Sequence, residues 1–194
     1  MVNEKSIKRF LNLKVRWIRN MNKLALDPRT LQLSSRKNRP YSCILFTMKL
    51  KETEIRKMIE VAALVRRNAF ILHSSHRVGA SVLTDGGEIY SGCNVQSVIS
   101  GLGTCAERSA IDHAVAHGHY RFRAVCVIDD GLLPPCGACL QNMLLFSQVA
   151  GREIQIVCAD MKGLYRIYVL SKLLPLGYRT KRYLRKMRAY GNRK

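Results

Sequence analysis

Apolar residues along this chain recur with two alternating periods, and the alternation predicts an order of elements. From Lys51 to about Asn68, Ile55, Met58, Ile59, Ala62 and Val65 return at helical spacing, which predicts an amphipathic helix. Val78 to Thr84 reads as a strand, Asp85-Gly86-Gly87 as a hairpin turn, and Glu88 to Cys93 as the partner strand. Thr104 is placed to cap a helix running through Ala106, Ala110, Ile111 and Ala114 to near His117, with Gly118 as its stop. Arg123 to Asp129 reads as a third strand, Cys136 to about Phe146 as a helix, Glu153 to Cys158 as a fourth strand and Leu164 to Leu170 as a fifth. This αββαβαββ order implies a sheet between layers of helices. Only about five residues separate strands four and five, far short of the dozen a parallel crossover needs, so those two strands must pair antiparallel.

Two clusters open the second and third helices: Thr104-Cys105-Ala106-Glu107-Arg108 and Pro134-Pro135-Cys136-Gly137-Ala138-Cys139. Helix N-termini suit thiolates, because the dipole and the free N–H groups favour negative sulfur. A catalytic zinc keeps three protein ligands and one open position for water. Cys105, Cys136 and Cys139 supply three ligands, while Glu107, two residues from Cys105, reaches the water rather than the ion. Blander readings exist for each part. Thr104-x-x-Glu107 is also a capping box, and Cys136 with Cys139 could be core thiols or a redox pair. A purely structural zinc module would need Glu107 as its fourth ligand. The conjunction of both clusters favours the catalytic site, since C-x-E followed by P-C-x-x-C is the zinc deaminase pattern. His113 and His117, four apart, have no third ligand in sequence reach and read as a half-exposed helix face.

The net charge of +20 changes the picture only once it is located. Residues 1–47 hold eleven Lys/Arg against Glu4 and Asp27, residues 162–194 hold eleven and no acid, and the middle is neutral. Residues 1–47 therefore read as a basic extension outside the fold, 48–178 as the zinc domain and 179–194 as a basic tail. The basic ends are expected to bind polyanions non-specifically, with steep salt dependence. The extension is Arg/Lys-rich and acid-poor, as organelle transit peptides are, yet not especially Ser-rich, so an appended tail is an equal reading. Seven cysteines, an odd number, do not suggest a disulfide framework. Cys93, Cys126 and Cys158 fall in apolar runs and read as buried core thiols, with Cys43 outside the domain. No apolar run approaches the roughly 20 residues of a membrane span, and a soluble, cytoplasmic protein is expected.

From Lys51 to Tyr178 the chain resembles the cytidine deaminase family, in its small, homotetrameric, three-cysteine form related to blasticidin-S deaminase. The first ligand in that form is Cys, as Cys105 is here, and strands four and five are joined by a hairpin. Both features disfavour a nucleic-acid-editing deaminase. The resemblance implies a three-layer α-β-α sandwich with a five-stranded mixed sheet and the last two strands antiparallel. It implies one Zn²⁺ per chain and hydrolytic deamination of cytidine or deoxycytidine to the uracil nucleoside and ammonia. Glu107 would shuttle the proton, Ala106 and Pro134 would contact the base through backbone atoms, and Asn94 would hold the ribose. Arg108 would offset the surplus negative charge of three thiolates, and Tyr178, in Leu173-Leu174-Pro175-Leu176-Gly177-Tyr178, would enter a neighbouring subunit's pocket.

Departures lie around the substrate rather than at the metal. His76 stands where the family has a base-stacking phenylalanine, Gln96 where it has a ribose-binding glutamate, and Ser100 where it has a tyrosine. Leu140 replaces an arginine that commonly follows the last zinc cysteine. Another cytosine nucleoside, such as blasticidin S, is therefore an alternative substrate.

Overall fold

Five strands are hydrogen-bonded in the order β2-β1-β3-β4-β5. They come from a computed structural model that describes residues 49–99 and 101–192, all within one compact unit, Ile44–Lys194. The elements run α1 (Glu52–Arg66), β1 (Gly79–Thr84), β2 (Ile89–Cys93), α2 (Ala106–Ala116), β3 (Phe122–Asp129), α3 (Gly137–Ala150), β4 (Gln155–Asp160), β5 (Tyr165–Val169), α4 (Leu170–Leu173) and α5 (Leu184–Gly191).

β1 pairs antiparallel with both β2 and β3. β3 pairs parallel with β4, and α3 supplies the long crossover such a pair requires. β4 and β5 pair antiparallel, as their short connection demands. Asp160 shapes that turn: its carboxylate accepts the N–H of Lys162 at 2.8 Å and of Leu164 at 2.9 Å, while Gly163 takes a positive φ of 85°. The mixed five-stranded sheet of the expected sandwich is present.

Alternation along the strands sends side chains to two separate cores. On one face Ile55, Met58 and Ala62 of α1 pack on Leu83, Ala124, Cys126, Ile128 and Val157. On the other, Ala106, Ala110 and Ile111 of α2 and Met143 and Leu144 of α3 cover Ala80, Val82, Val125, Val127 and Ile156. Two glycines set how close the helices come. A Cβ on Gly79 would lie 2.0 Å from the Ala62 carbonyl oxygen, and one on Gly92 would lie 2.3 Å from the Ala110 nitrogen. Helices over both β1 and β2 thus rest directly on strand backbone.

One ion pair fastens α1 to the sheet. Arg123 donates to both oxygens of Glu54, at 2.6 and 3.1 Å, with only 10% and 21% of the two side chains exposed. The bond from Arg123 holds the Glu54 carboxyl below its usual range, against the opposing effect of burial. A depressed carboxylate stabilises the fold above its unfolded value, about 4.3, and that stabilisation disappears as pH falls through the lower folded value. We expect Glu54→Gln to cost about 1 kcal/mol at pH 7 and almost nothing once the pH lies below the lowered folded value of Glu54. Thermal melts of parent and variant across pH check this; an equal difference at both ends would assign the loss to packing.

Four expectations need correction. Thr104 does not cap α2. Its N–H and carbonyl are both paired with Val95, at 2.9 and 3.0 Å, so it is extended, and Cys105 takes the N-cap position without a side-chain cap. α3 runs four residues beyond Phe146 to Ala150, where Gly151 (φ 68°) ends it. Cys93 is only half-buried, on the edge strand, unlike Cys126 and Cys158. Leu170 opens α4 instead of ending the fifth strand, and within the basic C-terminal segment Leu184–Gly191 form α5. Cys43 and Ser100 lie outside the described residues.

Candidate active site and metal centre

The fold brings the N-termini of α2 and α3 together at the end of β3. Cys105 is the N-cap of α2, Cys136 the N-cap of α3, and Cys139 lies in the first turn of α3. Their three sulfurs lie within 4.8 Å of one another, with Cys105 Sγ and Cys136 Sγ 4.0 Å apart. Tetrahedral Zn–S bonds of ~2.3 Å require sulfur separations of ~3.8 Å, so the trio fits a zinc ion with little adjustment. Among the described residues this is the one cluster of three or more His, Cys, Asp or Glu able to hold a metal.

The electrostatics favour negative sulfur at this cluster. The Cys105 thiol is lowered to about 6, chiefly by the hydrogen bond from Cys139, then by that from Cys136 and by the Arg108 charge. Cys139, as the donor to Cys105 and as a buried group, is pushed up. Cys105 is thus the sulfur most readily made negative, and a metal cation would take the place of the protons that the three thiols share. Arg108 donates to the Gly103 carbonyl at 3.1 Å, and its Nε is buried without a partner. By contrast burial pushes Cys158 up to about 12 and Cys126 higher, leaving two inert core thiols.

Glu107 occupies the second position of α2 and is only 4% exposed. Burial raises its carboxyl above the usual range. The Cys105 charge adds to this, while its own backbone N–H, the Cys139 thiol and Arg108 oppose it. A desolvated carboxylate next to the sulfur cluster has the character of a proton carrier rather than of a helix cap.

Cys105, Ala106, Glu107 and Cys136 form part of the wall of a cleft of about 490 Å³, within the usual size of a small-molecule site. His76, Asn94, Gln96 and Pro134 line the same cleft. Cys139 sits buried behind it, and Arg108 stands outside its lining. Tyr178 is elsewhere: it is 75% exposed, and its backbone is clamped to Gln141 by two 2.8 Å bonds. His113 and His117 pack around Tyr90 with ring centroids 5.2 and 5.1 Å from it, and each Nδ1 is spent on a carbonyl at 2.9 Å.

The polar groups at the far end of the cleft are strongly engaged with the protein. Asn94 accepts from Val78 N–H at 2.9 Å and donates to the His76 carbonyl at 3.0 Å. Gln96 Oε1 accepts from Leu72 N–H at 2.6 Å and His73 N–H at 2.8 Å, while its Nε2 donates to Ser74 Oγ at 2.8 Å. Both amides therefore hold the 72–78 loop that carries His73 and His76 into the cleft.

Two residues that pattern reading missed complete the site. Asp129 closes β3, is almost fully buried, and accepts the N–H of Gly131 at 2.8 Å and of Leu133 at 3.4 Å. It thereby shapes the turn into Pro134-Pro135-Cys136, in which Leu132 adopts the left-handed region (φ 56°), a conformation that costs about 1–2 kcal/mol. Leu133, 56% exposed, lines the cleft mouth. An aspartate at a strand end before a turn is the only sequence signal either one carried.

Comparison with known proteins agrees with this geometry. Residues 52–152 match the family described as the cytidine and deoxycytidylate deaminase zinc-binding region. The chain is 32% identical over 124 residues to a cytidine deaminase of Sporosarcina psychrophila, spanning 63% of this chain and 89% of that one. It is 28% identical over 115 residues to a blasticidin-S deaminase of Bacillus cereus, spanning 54% of this chain and 79% of that one. The crystal structure of a cytidine deaminase from Burkholderia pseudomallei superposes with a TM-score of 0.58 at 34% identity, covering 63% of this chain and 98% of that chain. The matched span contains α1 through α3, and with them all three cysteines and the buried glutamate. By its fold, its sulfur cluster and this match, the chain belongs to the cytidine and deoxycytidylate deaminase family.

Proposed function

We propose that the chain is a zinc-dependent hydrolase that converts cytidine and deoxycytidine to uridine and deoxyuridine, releasing ammonia. The observation that carries this reading is the buried Glu107 carboxylate beside a three-sulfur cluster on the wall of a nucleoside-sized cleft. Cys105, Cys136 and Cys139 would hold one Zn²⁺, which when bound lowers the pKa of a water toward ~7. Three thiolates donate more charge than imidazoles and blunt that effect, so the protein must supply a base. Glu107 takes the proton from the attacking water and gives it to N3 as the water oxygen joins C4. It then moves the second proton to the exocyclic nitrogen, the C4–N bond breaks, and ammonia departs. Its raised carboxyl suits both halves of this task, accepting and then donating. Ala106 N–H and the Pro134 carbonyl bind the base edge; proline lacks an N–H but keeps its acceptor. Arg108 balances the charge of the sulfurs.

His76 and Asn94 stand at the base and ribose, with Gln96 beside them. The glutamine is neutral and already accepts two backbone N–H bonds, so its contribution to a sugar hydroxyl is weak. We expect Gln96→Glu to keep the two bonds from the Leu72 and His73 N–H groups, give up the bond donated to Ser74, turn that oxygen as a charged acceptor to the sugar and raise kcat/KM for cytidine several-fold, mainly through KM. Hydrogen bonds to charged groups exceed neutral ones by about 1 kcal/mol, which is the scale of that change. Steady-state kinetics on cytidine check it; an unchanged or worse variant would assign Gln96 wholly to the loop.

Residues 48–178 are proposed as the zinc domain, with 1–47 as a basic extension and 179–194 as a basic segment whose helix α5 packs back on the domain. A cytoplasmic homotetramer in which Tyr178 reaches a neighbouring cleft is the assembly proposed; the exposure of Tyr178 leaves it available for that contact. Among the described residues no helix is long and apolar enough to cross a membrane. Ammonia release from cytidine, deoxycytidine, blasticidin S, adenosine and a cytosine-bearing oligonucleotide tests the reading. It predicts turnover of the first two, and turnover of the oligonucleotide alone would overturn it.

A further inference from the structure

We propose that the outward face of α5 is a docking surface for single-stranded nucleic acid, separate from the deaminase centre. α5 is a fixed part of the fold. Leu184 and Met187 are half-buried, Tyr190 meets Tyr120 edge-on with centroids 5.6 Å apart, and Gly191 is buried. A Cβ at Gly191 would stand 2.9 Å from Val149 Cγ1, which shows how closely the helix lies on the end of α3. Upstream, Gln148 donates to the Thr180 carbonyl at 3.2 Å, so the approach to the helix is anchored too.

What this packing leaves outside is cationic and aromatic. Residues 179–194 hold eight Lys/Arg and no acid. Arg182, Arg185, Lys186 and Arg188 are all exposed. Five arginines elsewhere in the fold are matched with carboxylates: Arg56 with Glu52, Arg66 with Asp130, Arg121 and Arg152 with Asp85, and Arg123 with Glu54. Arg185, Lys186 and Arg188 have no carboxylate partner among the described residues. Just before them Tyr183, the N-cap of α5, is 52% exposed, with the Arg182 guanidinium 5.3 Å from its ring centre. Unpaired cations interleaved with an exposed aromatic ring are what a single strand needs, phosphates meeting the charges and an unstacked base meeting the ring. A lipid surface needs apolar side chains to insert, and Leu184 and Met187 of α5 are already half-buried in the fold.

The face is not an extension of the substrate cleft. Val149, against which α5 ends, lies ten residues along α3 from Cys139, or about 15 Å at the helical rise. A strand held on α5 does not thereby present a base to Glu107 of the same chain.

Fluorescence anisotropy of the full chain with a labelled oligouridylate tests the proposal, because uracil offers no amine to the catalytic centre. Parallel arms use oligothymidylate, a duplex DNA and vesicles of phosphatidylcholine with phosphatidylserine. The triple variant R185Q/K186Q/R188Q should weaken binding to both single strands by about tenfold. It should also lower the salt slope by about 2, since each phosphate no longer neutralised removes ~0.7. Tyr183→Ala should weaken both single strands about fivefold and leave the duplex unchanged. Unchanged thermal melts report an intact fold in both variants without reference to any activity. Parent-like binding by the triple variant would overturn the proposal, as would duplex or vesicle binding as tight as that of the single strands.

Discussion

Glu107→Gln is expected to remove nearly all turnover of cytidine while leaving bound zinc and the fold in place. General acid–base groups contribute ~10²–10⁴-fold, and this carboxylate serves successive proton transfers, so the upper end applies. The substitution keeps shape at a site that is 4% exposed, and an amide neither accepts nor releases the proton. Stability should not fall, since burying an ionised carboxylate is itself unfavourable. A helix-cap role would behave in the opposite way, costing about 1 kcal/mol of stability and sparing turnover. The structure already disfavours it, because Cys105 is the N-cap and no side chain caps it. Parallel measurement of kcat, bound zinc and thermal melting separates the two. Residual turnover within tenfold of the parent would count against the proton-shuttle role.

Cys136→Ala is expected to empty the metal centre. Loss of a group that merely orients a ligand costs ~10–100-fold in metal affinity, so removing a ligand should exceed ~100-fold. Purified variant should retain almost no zinc, and its turnover should fall in proportion. The melting temperature should fall as well, since a metal that binds only the native state stabilises it by mass action. Cys126→Ala and Cys158→Ala serve as contrasts. Both thiols are buried and pushed up in pKa, and neither belongs to the three-sulfur group, so zinc content should match the parent even where packing suffers. Unchanged zinc in Cys136→Ala would contradict the proposed ligand set.

The contrast among these cysteines shows what pattern alone could reach. Spacing brought Cys105, Cys136 and Cys139 together because each sits at the start of a helix that follows a strand, and the sheet topology converges those starts. The antiparallel β4–β5 pair was legible from chain length alone, since five residues cannot cross a sheet. The cap at Thr104 misled because a local motif competed with a long-range one: its backbone pairs with Val95, nine residues back, and that bridge holds it extended. The chemistry of Gln96 suggested a weaker acceptor for a sugar. Its bonds to Leu72, His73 and Ser74 come from a loop more than twenty residues earlier, which no spacing rule connects to it. Asp129 was hidden for the same reason, its role being set by the turn it closes. α5 escaped because Leu184, Met187 and Gly191 make too thin an apolar stripe within a basic run to stand out. It is the end of α3 that gives the stripe something to pack against.

Metal loading and deamination of the natural nucleoside should rise together. Purified full-length protein, stripped with a chelator and titrated with zinc, should release ammonia from cytidine at a rate that climbs linearly and levels off at one zinc per chain. Uridine should form in equal amount. No ammonia at one bound zinc per chain, or release that is indifferent to zinc, would contradict the assignment of a zinc-dependent cytidine deaminase.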